Sequence, residues 1–345
     1  MKFAISPLSQ RRLTIFKSNR RGFYSFFIFI FIFVASLFAE VITNDRPIII
    51  NYNGQYYFPI VKSYSETTFG GELNSFADYR DPYLVDRINS HGWAIWPPLH
   101  FGLSTVATSR AEANPAPPNR QNILGTDDQG RDVFAQLIYG FRYSILFGLC
   151  LTILSSIIGI SAGAIQGYFG GIIDISLQRF IEVWSGMPQL FLLIILASIV
   201  DPNFWWLLGL LLLFSWIDLV AVVRAEFLRA RNLEFVRAAT ALGVPNRLIV
   251  FRHILPNAII SSLTFLPFIL NSSLVLLVSL DFLGFGLPPG SPSLGAILAQ
   301  AKRNLQAPWL SLTIFVFLSI LLCLLIFIGE AVRDAFNPRK VYTGS

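Results

Sequence analysis

Groups that could carry out acid–base, redox or metal chemistry are few in this sequence and lie far apart. His91, His100 and His253 show no metal-ligand spacing. Cys150 and Cys323 lie inside apolar runs, where a cysteine usually acts as a small packing residue. These residues therefore predict neither a metal centre nor a disulfide.

A phosphate-binding loop is also missing from the sequence. The pattern G-x-x-x-x-G-K-[S/T] does not occur, and there is no Gly-Lys dipeptide at all. Such a loop supplies the backbone N–H groups and the lysine that hold nucleotide phosphates. We therefore expect no cofactor on this chain and no enzyme activity, and any ATP-driven step would need a separate subunit.

The composition indicates that most of the chain lies in a membrane. Hydrophobic residues make up 54% of the 345 residues and charged residues 13%, whereas soluble domains have about 25% charged residues. The mean hydropathy of +0.60 supports the same conclusion. The net charge of +6 resembles that of a nucleic-acid-binding protein, but the basic residues follow a membrane topology, so we expect no nucleic-acid partner.

Six apolar stretches are long enough to cross a bilayer as helices, which takes roughly 20 residues each. Lipid offers no partner for a free backbone N–H or C=O, so each stretch is expected to be helical. No good cleavage site follows the first stretch, which predicts a retained span and not a signal peptide. The predicted class is all-α polytopic, with spans at 23–41, 143–166, 179–200, 204–223, 257–280 and 309–329.

The basic residues predict the orientation of these spans. Lysine and arginine collect in the N-terminus 1–22, the loop 224–256 and the tail 330–345, which contains Arg333, Arg339 and Lys340. Six spans place these three segments on one side, and the positive-inside rule makes that side cytoplasmic. Both termini are therefore predicted to be cytoplasmic, and the segments 42–142 and 281–308 extracytoplasmic.

The segment 42–142 is polar and rich in Tyr, Pro, Gly and Asn. Asn53-Gly54 lies between two aromatic or β-branched runs, which is a strong hairpin signal. The stretch NPAPPN at 114–119 is typical of an extended linker. We found no nucleophile elbow and no paired carboxylates here, so we expect a small ordered insert and not a separate enzyme.

Two acidic residues and one polar triplet interrupt the apolar stretches. Charges inside spans often mark transport pathways, and Glu182 and Asp218 are candidates. Both lie within about two turns of the interface, so snorkelling, or an ion pair of Asp218 with Arg224, is the favoured alternative. The triplet either lines a polar pathway or hydrogen-bonds between helices; it consists of Asn271, Ser272 and Ser273.

A row of glycines occupies one side of the second predicted span. Gly159, Gly163 and Gly167 form a G-x-x-x-G-x-x-x-G pattern, which allows two helices to approach closely. The row packs either within this chain or against a partner subunit.

The segment RAATALGVPNRLIVFRHILPN, Arg237–Asn257, is basic although it lies between two apolar stretches. Asn232 can cap a helix whose first turn contains Glu234. Gly243 suits the left-handed position that ends this helix, and Pro245 suits the first position of the next one. The pattern predicts two short helices at an angle.

The surface of this pair of helices suggests a docking element. Ala238 and Ala239 keep the first helix slim, so that it can enter a groove of another protein. Leu248, Ile249 and Phe251 give the second helix an apolar side. The alternative interpretation is a loop that is basic only to maintain the topology.

The same segment resembles the EAA loop of ABC importer permeases, whose pattern is Glu-Ala-Ala, three residues, Gly, nine residues and Ile-x-Leu-Pro. Arg237 stands in place of the glutamate and His253 in place of the isoleucine, as in the dipeptide and oligopeptide branch. The residues that match at the family spacing are Ala238, Ala239, Gly243, Leu255 and Pro256.

Two other segments resemble the same branch. Leu124–Ile145 is similar to the segment that leads into the second span, and Ser279–Gly295 to the extracytoplasmic loop before the last span. The long insert after the first span is similar to that of peptide importers associated with microcin C uptake. The resemblance implies an external gate loop that includes Phe282, Gly284, Gly286, Pro292 and Gly295.

The resemblance implies a type I ABC importer permease fold in a bacterial inner membrane. It implies a heterodimer with a homologous second permease, and an ABC ATPase with two nucleotide-binding units that bind ATP and Mg, on one chain or two. It also implies a periplasmic binding protein that delivers short peptides or peptide-like antibiotics of the microcin C type.

Three other functions remain possible at this stage. A permease for nickel or another small solute would share the same motifs. A secondary transporter would require inverted repeats and ionisable groups near the middle of the membrane, and we find no clear repeat. A membrane-embedded enzyme would require paired polar catalytic groups at one depth.

Overall fold

The computed structural model describes residues 7–106, 114–288 and 290–337. Arg339 and Lys340 of the predicted basic tail lie outside this part of the chain, as do residues 1–6 of the N-terminal segment and residue 289 of the gate loop. The strands are β1 Ile49–Tyr52, β2 Gln55–Tyr57 and β3 Gly92–Ile95. The helices are α1 Pro7–Ser18, α2 Arg20–Leu37, α3 Ala39–Ile42, α4 Pro82–His91, α5 Val133–Phe169, α6 Gly171–Ser185, α7 Gln189–Ala197, α8 Phe204–Ser215, α9 Ile217–Ala230, α10 Glu234–Ala241, α11 Asn246–Leu248, α12 Leu255–Leu263, α13 Leu266–Leu283, α14 Leu294–Arg303 and α15 Pro308–Phe336.

Within the described residues, four helices are long and apolar enough to cross a membrane: α2, α5, α13 and α15. Two pairs of helices meet the same criteria together but are bent, α6 with α7 by 76° and α8 with α9 by 43°. The number of spans is therefore four, or up to six if each bent pair is one span. The six-span prediction requires both bent pairs to cross.

Four predicted stretches are not single helices. The stretch 23–41 is divided between α2 and α3 at Phe38, and the stretch 204–223 between α8 and α9 at Trp216. The stretch 179–200 is divided between α6 and α7 at Gly186–Pro188, because proline lacks the N–H that would continue a helical hydrogen-bond ladder. The stretch 257–280 is divided between α12 and α13 at Thr264 and Phe265. Hydropathy measures the length of an apolar stretch but does not show where a helix breaks. The prediction therefore gave each of these stretches as one continuous helix.

Other boundaries also differ from those predicted. The helix α5 begins at Val133, well before the predicted start at residue 143. Its first turns contain polar side chains such as Gln136 and Arg142, which the apolar criterion excluded. The helix α9 continues to Ala230, so the first residues of the predicted loop 224–256 are helical.

The chain divides into two compact units. Among the described residues of the first unit, two apolar clusters pack helices together. One brings α7, α8 and α13 together around the fully buried Leu193, Leu211 and Leu277. The other includes Phe227 of α9 and Ile254 of the π-helical turn Ile249–Ile254, both also fully buried. The first unit comprises Met1–Phe31, Ser144–Pro288 and Leu318–Ser345.

The N-terminal end of α2 lies against α15 within the first unit. A methyl group added at Gly22 would lie 2.2 Å from the Cβ atom of Ala331, so only glycine fits there. Nearby, the guanidinium carbon of Arg12 lies 4.7 Å from the ring centroid of Phe336. The helices α1 and α2 therefore pack against α15.

The second unit, Ile32–Tyr143 and Pro289–Phe317, contains a three-stranded antiparallel sheet in the order β2-β1-β3. Asn53 and Gly54 form the two-residue turn between β1 and β2, with φ values of 50° and 78°. Positive φ at both central positions suits an Asn-Gly turn, so the predicted hairpin is confirmed. The sheet and α4 pack around Ile50, Phe69 and Leu84, all fully buried.

A buried polar cluster lies where α5 begins in the second unit. The Asp127 carboxylate accepts hydrogen bonds from Gln136 Nε2 at 2.7 Å and Gln300 Nε2 at 3.3 Å. Burial raises the pKa of Asp132, whose carboxylate accepts a hydrogen bond from Asn122 Nδ2 at 2.8 Å. The cluster fixes α14 to the segment that leads into α5.

The stretch 114–119 is not the extended linker that its composition predicted. Ala116 is buried and exchanges hydrogen bonds with Thr126, whose Oγ1 accepts from Ala116 N at 2.8 Å. The backbone N–H of Thr126 donates to the carbonyl oxygen of Ala116 at 3.0 Å. Proline content alone did not distinguish a packed loop from a linker.

Candidate functional site

The segment 224–256 folds largely as two short helical pieces, as predicted. The first piece, α10, begins after Leu233, whose backbone carbonyl accepts from the N–H groups of Val236 and Arg237 at 3.0 Å each. Asn232 does not cap this helix, because its side-chain amide instead donates to the carbonyl of Leu228 at 3.0 Å. The predicted Asn232 cap is therefore wrong: the preceding helix α9 uses that side chain.

The turn after α10 depends on Gly243, which has φ of 76°. The N–H of Gly243 donates to the carbonyl of Thr240 at 3.0 Å, and Val244 N donates to the carbonyl of Ala239 at 3.1 Å. This left-handed helix end is the one predicted for Gly243. Pro245 precedes α11 as its cap residue and is not its first helical residue, which corrects the predicted position by one.

Buried side chains anchor the segment to the first unit. Val236, Ile249 and Ile254 belong to the same apolar cluster as Phe227. The hydroxyl of Tyr168 and Oδ1 of Asn246 lie within 2.8 Å, which ties the segment to the end of α5. The segment is therefore a fixed part of the unit and not a loose loop.

The remaining side chains of the segment form an exposed surface, which we call the coupling surface. Leu242 is 83% exposed and Phe251 is 66% exposed. The arginines 237, 247 and 252 are exposed as well. Exposed apolar side chains beside arginines are typical of protein interfaces. Such a surface can dock a partner but carries no catalytic chemistry.

The two alanines of the motif have different environments. Ala238 is exposed, whereas Ala239 is half-buried and packs against the cluster around Phe227. A large side chain at Ala239 would therefore disturb the chain's own packing as well as any docking contact. Leu255 is also half-buried against this cluster, and Pro256 is exposed in the first turn of α12.

The glycine row faces α9 within the same chain. A methyl group at Gly159 would lie 2.6 Å from the carbonyl oxygen of Trp216, and one at Gly163 would lie 2.8 Å from that of Val220. A methyl group at Gly167 would lie 2.5 Å from a carbon of Phe227. Each glycine therefore permits a backbone contact between α5 and the helix that leads to the coupling surface.

The two acidic candidates differ in their partners. Glu182 pairs with Arg179 on the exposed side of α6. The sequence suggested an ion pair of Asp218 with Arg224 as one alternative. The guanidinium of Arg224 instead binds the carboxylate of Asp174, and one of these hydrogen bonds is 2.8 Å long. Asp174 lies on α6 and Arg224 on α9, so this pair joins α6 to the helix that leads to the coupling surface.

The polar triplet has unequal environments on α13. Ser272 is exposed, Asn271 is half-buried, and Ser273 is buried. Oδ1 of Asn271 and Oγ of Ser273 are buried and have no hydrogen-bond partner among the described residues. Both predicted roles, pathway lining and contact with another helix, are compatible with such atoms.

The predicted gate residues fall in both units, and each group is ordered by a different contact. In the first unit, Phe282 is half-buried in the last turn of α13, and the exposed Gly284 follows as the residue that caps this helix. The Asp281 carboxylate accepts a hydrogen bond from Leu287 N at 2.7 Å. A methyl group at Gly286 would lie 1.6 Å from Oδ1 of Asp281. Asp281 therefore shapes this loop, although sequence analysis did not select it.

In the second unit, Pro292 and Gly295 are buried at the start of α14. Ser293 caps this helix by accepting a hydrogen bond from Ala296 N at 3.2 Å. A methyl group at Gly140 would lie 3.3 Å from the backbone of Ser293 and Leu294. These contacts hold the beginning of α14 close to α5.

Comparison with known proteins identifies the family. The sequence model described as binding-protein-dependent transport system inner membrane component matches residues 155–342, which include the coupling surface and the glycine row. The chain belongs to this family. This permease family supplies the membrane component of transport systems, so the predicted membrane location and permease role are confirmed.

Curated relatives of this permease extend the match to nearly the whole chain. It is 58% identical over 336 residues to the inner membrane ABC transporter permease protein YejE of Escherichia coli (strain K12), covering 97% of this chain and 98% of the relative. It is 54% identical over 361 residues to the peptidoglycan transport system permease protein YejE of Agrobacterium fabrum, covering 98% and 94%. The oligopeptide transport system permease protein OppC of Lactococcus lactis is 32% identical over 229 residues, covering 65% and 78%. The two YejE relatives share the region 42–142 in addition to the family segment.

Proposed function

We propose that this permease is the membrane subunit of an ATP-driven importer of short peptides. The observation that supports coupling most directly is the coupling surface, which presents exposed apolar and arginine side chains on a firmly anchored helical segment. Similarity to permeases whose names specify oligopeptide and peptidoglycan transport favours a peptide or a peptide-containing fragment as the solute. Peptide-like antibiotics of the microcin C type belong to the same proposed class.

In the proposed mechanism, ATP and Mg bind to a partner ATPase with two nucleotide-binding units on the cytoplasmic side. Closure of those units moves α10 and α11, and the contacts between α5, α9 and α6 pass this movement to the spans. A homologous second permease completes the pathway, and a periplasmic binding protein delivers the solute. Both termini of the chain lie in the cytoplasm in this arrangement.

The test uses the importer reconstituted in vesicles with both permeases, the ATPase and the binding protein. Ala238→Trp combined with Phe251→Ala changes two exposed positions of the coupling surface. We expect normal membrane insertion but loss of most peptide-stimulated ATP hydrolysis, because overpacking a fitted contact costs about 1–3 kcal/mol. Leu305→Ala is the matched control, since Leu305 is 79% exposed and lies outside the segment 224–256.

Three outcomes would contradict the proposal. Wild-type hydrolysis by the double variant would remove the coupling role of this surface. Peptide accumulation by this chain alone under a proton gradient would instead indicate a secondary transporter. Uptake of nickel without uptake of any peptide would leave the ABC permease role but exclude the peptide substrate.

A further inference from the structure

A cavity of about 760 Å³ opens in the second unit, within the region 42–142. This volume falls within the range of about 300–1,000 Å³ that is typical of small-molecule sites. Its lining includes the basic residues Arg80 and Arg120 and the aromatic residues Tyr79, Trp96 and His100. Nη2 of Arg80 also donates to the carbonyl of Val106 at 3.1 Å. No aspartate or glutamate lines it within the described part of the chain. The cavity therefore combines positive charge with aromatic surface.

One wall of the cavity, residues 96–101, is fixed by backbone contacts. The N–H of Asn44 donates to the carbonyl of Leu99 at 3.1 Å, and Leu99 N donates to the carbonyl of Ile42 at 3.2 Å. The rings of Trp96 and His100 lie 5.0 Å apart at an angle of 50°. The aromatic wall is thus formed by the fold before any ligand binds.

Another part of the lining is the turn that carries Arg120 and Gln121. Oδ1 of Asn119 accepts hydrogen bonds from the N–H groups of Gln121 at 2.9 Å and Asn122 at 2.7 Å. Asn122 in turn donates to the buried Asp132 at 2.8 Å. The turn is therefore rigid, while the side chains of Arg120 and Gln121 are exposed at the cavity.

Tyr79 supplies a buried hydroxyl group to the cavity lining. This side chain lines the cavity and is only 4% exposed. Its hydroxyl has no hydrogen-bond partner among the residues that the structure describes. Burial raises the pKa of Tyr79 to about 12, so the phenol keeps its proton and can donate. A buried polar atom without a partner is uncommon and calls for an explanation such as a ligand.

We propose that this cavity binds the C-terminal end of a short peptide. The carboxylate lies between the guanidinium groups of Arg80 and Arg120, where charge-assisted hydrogen bonds are strongest. The terminal side chain packs against the ring of Trp96. The choice of a peptide rests on the proposed function, because a cell-wall fragment with a free carboxylate would present the same chemistry.

Binding is measured by calorimetry on the full-length permease in its complex, in lipid nanodiscs and without the binding protein. The probes are the dipeptide Ala-Phe, its C-terminal amide and muramyl dipeptide. We expect Ala-Phe to bind and the amide to bind at least about tenfold more weakly, because the amide lacks the charge that the arginines contact.

Two variants assign the binding to this cavity. Arg120→Gln removes one charge at an exposed position, and Gln121→Glu places a negative charge beside the carboxylate without changing side-chain size. Each should weaken Ala-Phe binding by about tenfold. Gln55→Glu, the same change at an exposed position of the β-hairpin, is the matched control and should leave the affinity unchanged.

The outcomes distinguish a failure of this binding site from a failure of the proposed transport function. Equal affinities for Ala-Phe and its amide, or wild-type affinity in both variants, would overturn the cavity proposal even if the importer transports peptides. Weakened binding in both variants would support it even if no peptide is transported. Binding of muramyl dipeptide alone would support the carboxylate site and identify a cell-wall source, whereas binding of no probe would overturn the proposal.

Discussion

Gly286 fits its place because Asp281 occupies the space that any side chain would need. A methyl group there would lie 1.6 Å from Oδ1 of Asp281, the carboxylate that accepts a hydrogen bond from Leu287 N. The Gly286→Ala variant must therefore move the carboxylate and lose this bond. We expect a stability loss of about 1–3 kcal/mol, measured by thermal unfolding of the purified permease in detergent.

The matched control for this variant is Gly209→Ala in α8. A methyl group at Gly209 would have nothing within 4 Å, and alanine is preferred to glycine in a helix by about 1 kcal/mol. We expect the control to keep or raise the unfolding temperature. A Gly286→Ala protein as stable as this control would show that Asp281 does not shape the loop.

Gly243, unlike Gly286, is required by its backbone conformation and not by neighbouring atoms. Nothing would lie within 4 Å of a methyl group there, but φ is 76°. Gly243→Val should cost about 1–2 kcal/mol because a branched side chain disfavours this conformation. Co-purification of the ATPase should fall, whereas Gly243→Asn should retain it, since asparagine tolerates positive φ. Equal co-purification by both variants would contradict the role of this turn.

At the scale of elements, α5 and α9 touch through glycine and backbone. A methyl group at Gly163 would lie 2.8 Å from both the carbonyl oxygen of Val220 and the Cβ atom of Val223. Gly163→Ala should therefore separate the two helices and lower the stability of the permease by about 1–3 kcal/mol. Thermal unfolding of the isolated chain tests this, because a contact with a partner subunit would leave the isolated chain unaffected.

The sequence predicts best those features that are determined by a few neighbouring residues. The Asn53-Gly54 hairpin and the Gly243 helix end follow from the conformational preferences of single residues, and both were predicted. The Arg224–Asp174 pair joins residues that are distant in sequence, so the sequence suggested only the nearer Asp218 as a partner of Arg224, with snorkelling as the other interpretation. The partial burial of Ala239 depends on which side of α10 meets the cluster around Phe227, and a helix with apolar residues on several sides does not reveal this.

At the scale of the whole molecule, the basic segments predict which face of the membrane each loop reaches. Cysteines at Asn53, in the hairpin, and at Arg247, on the coupling surface, are both exposed sites. In a background where Cys150 and Cys323 are replaced by serine, an impermeant thiol reagent should label position 53 from outside intact spheroplasts. Position 247 should react only after the membrane is permeabilised. Labelling of position 247 in intact spheroplasts would overturn the orientation.

The contact of Gly22 with Ala331 has a consequence for how the protein is made. The two residues are separated by roughly 300 residues of chain, which a ribosome adds at about 5–20 residues per second. The helix that carries Gly22 therefore emerges and enters the bilayer on the order of 15–60 s before its partner exists. During this interval its close-fitting face is covered by lipid or by helices made in between, and α15 must displace them. The helix α15 thus completes the packing of α2.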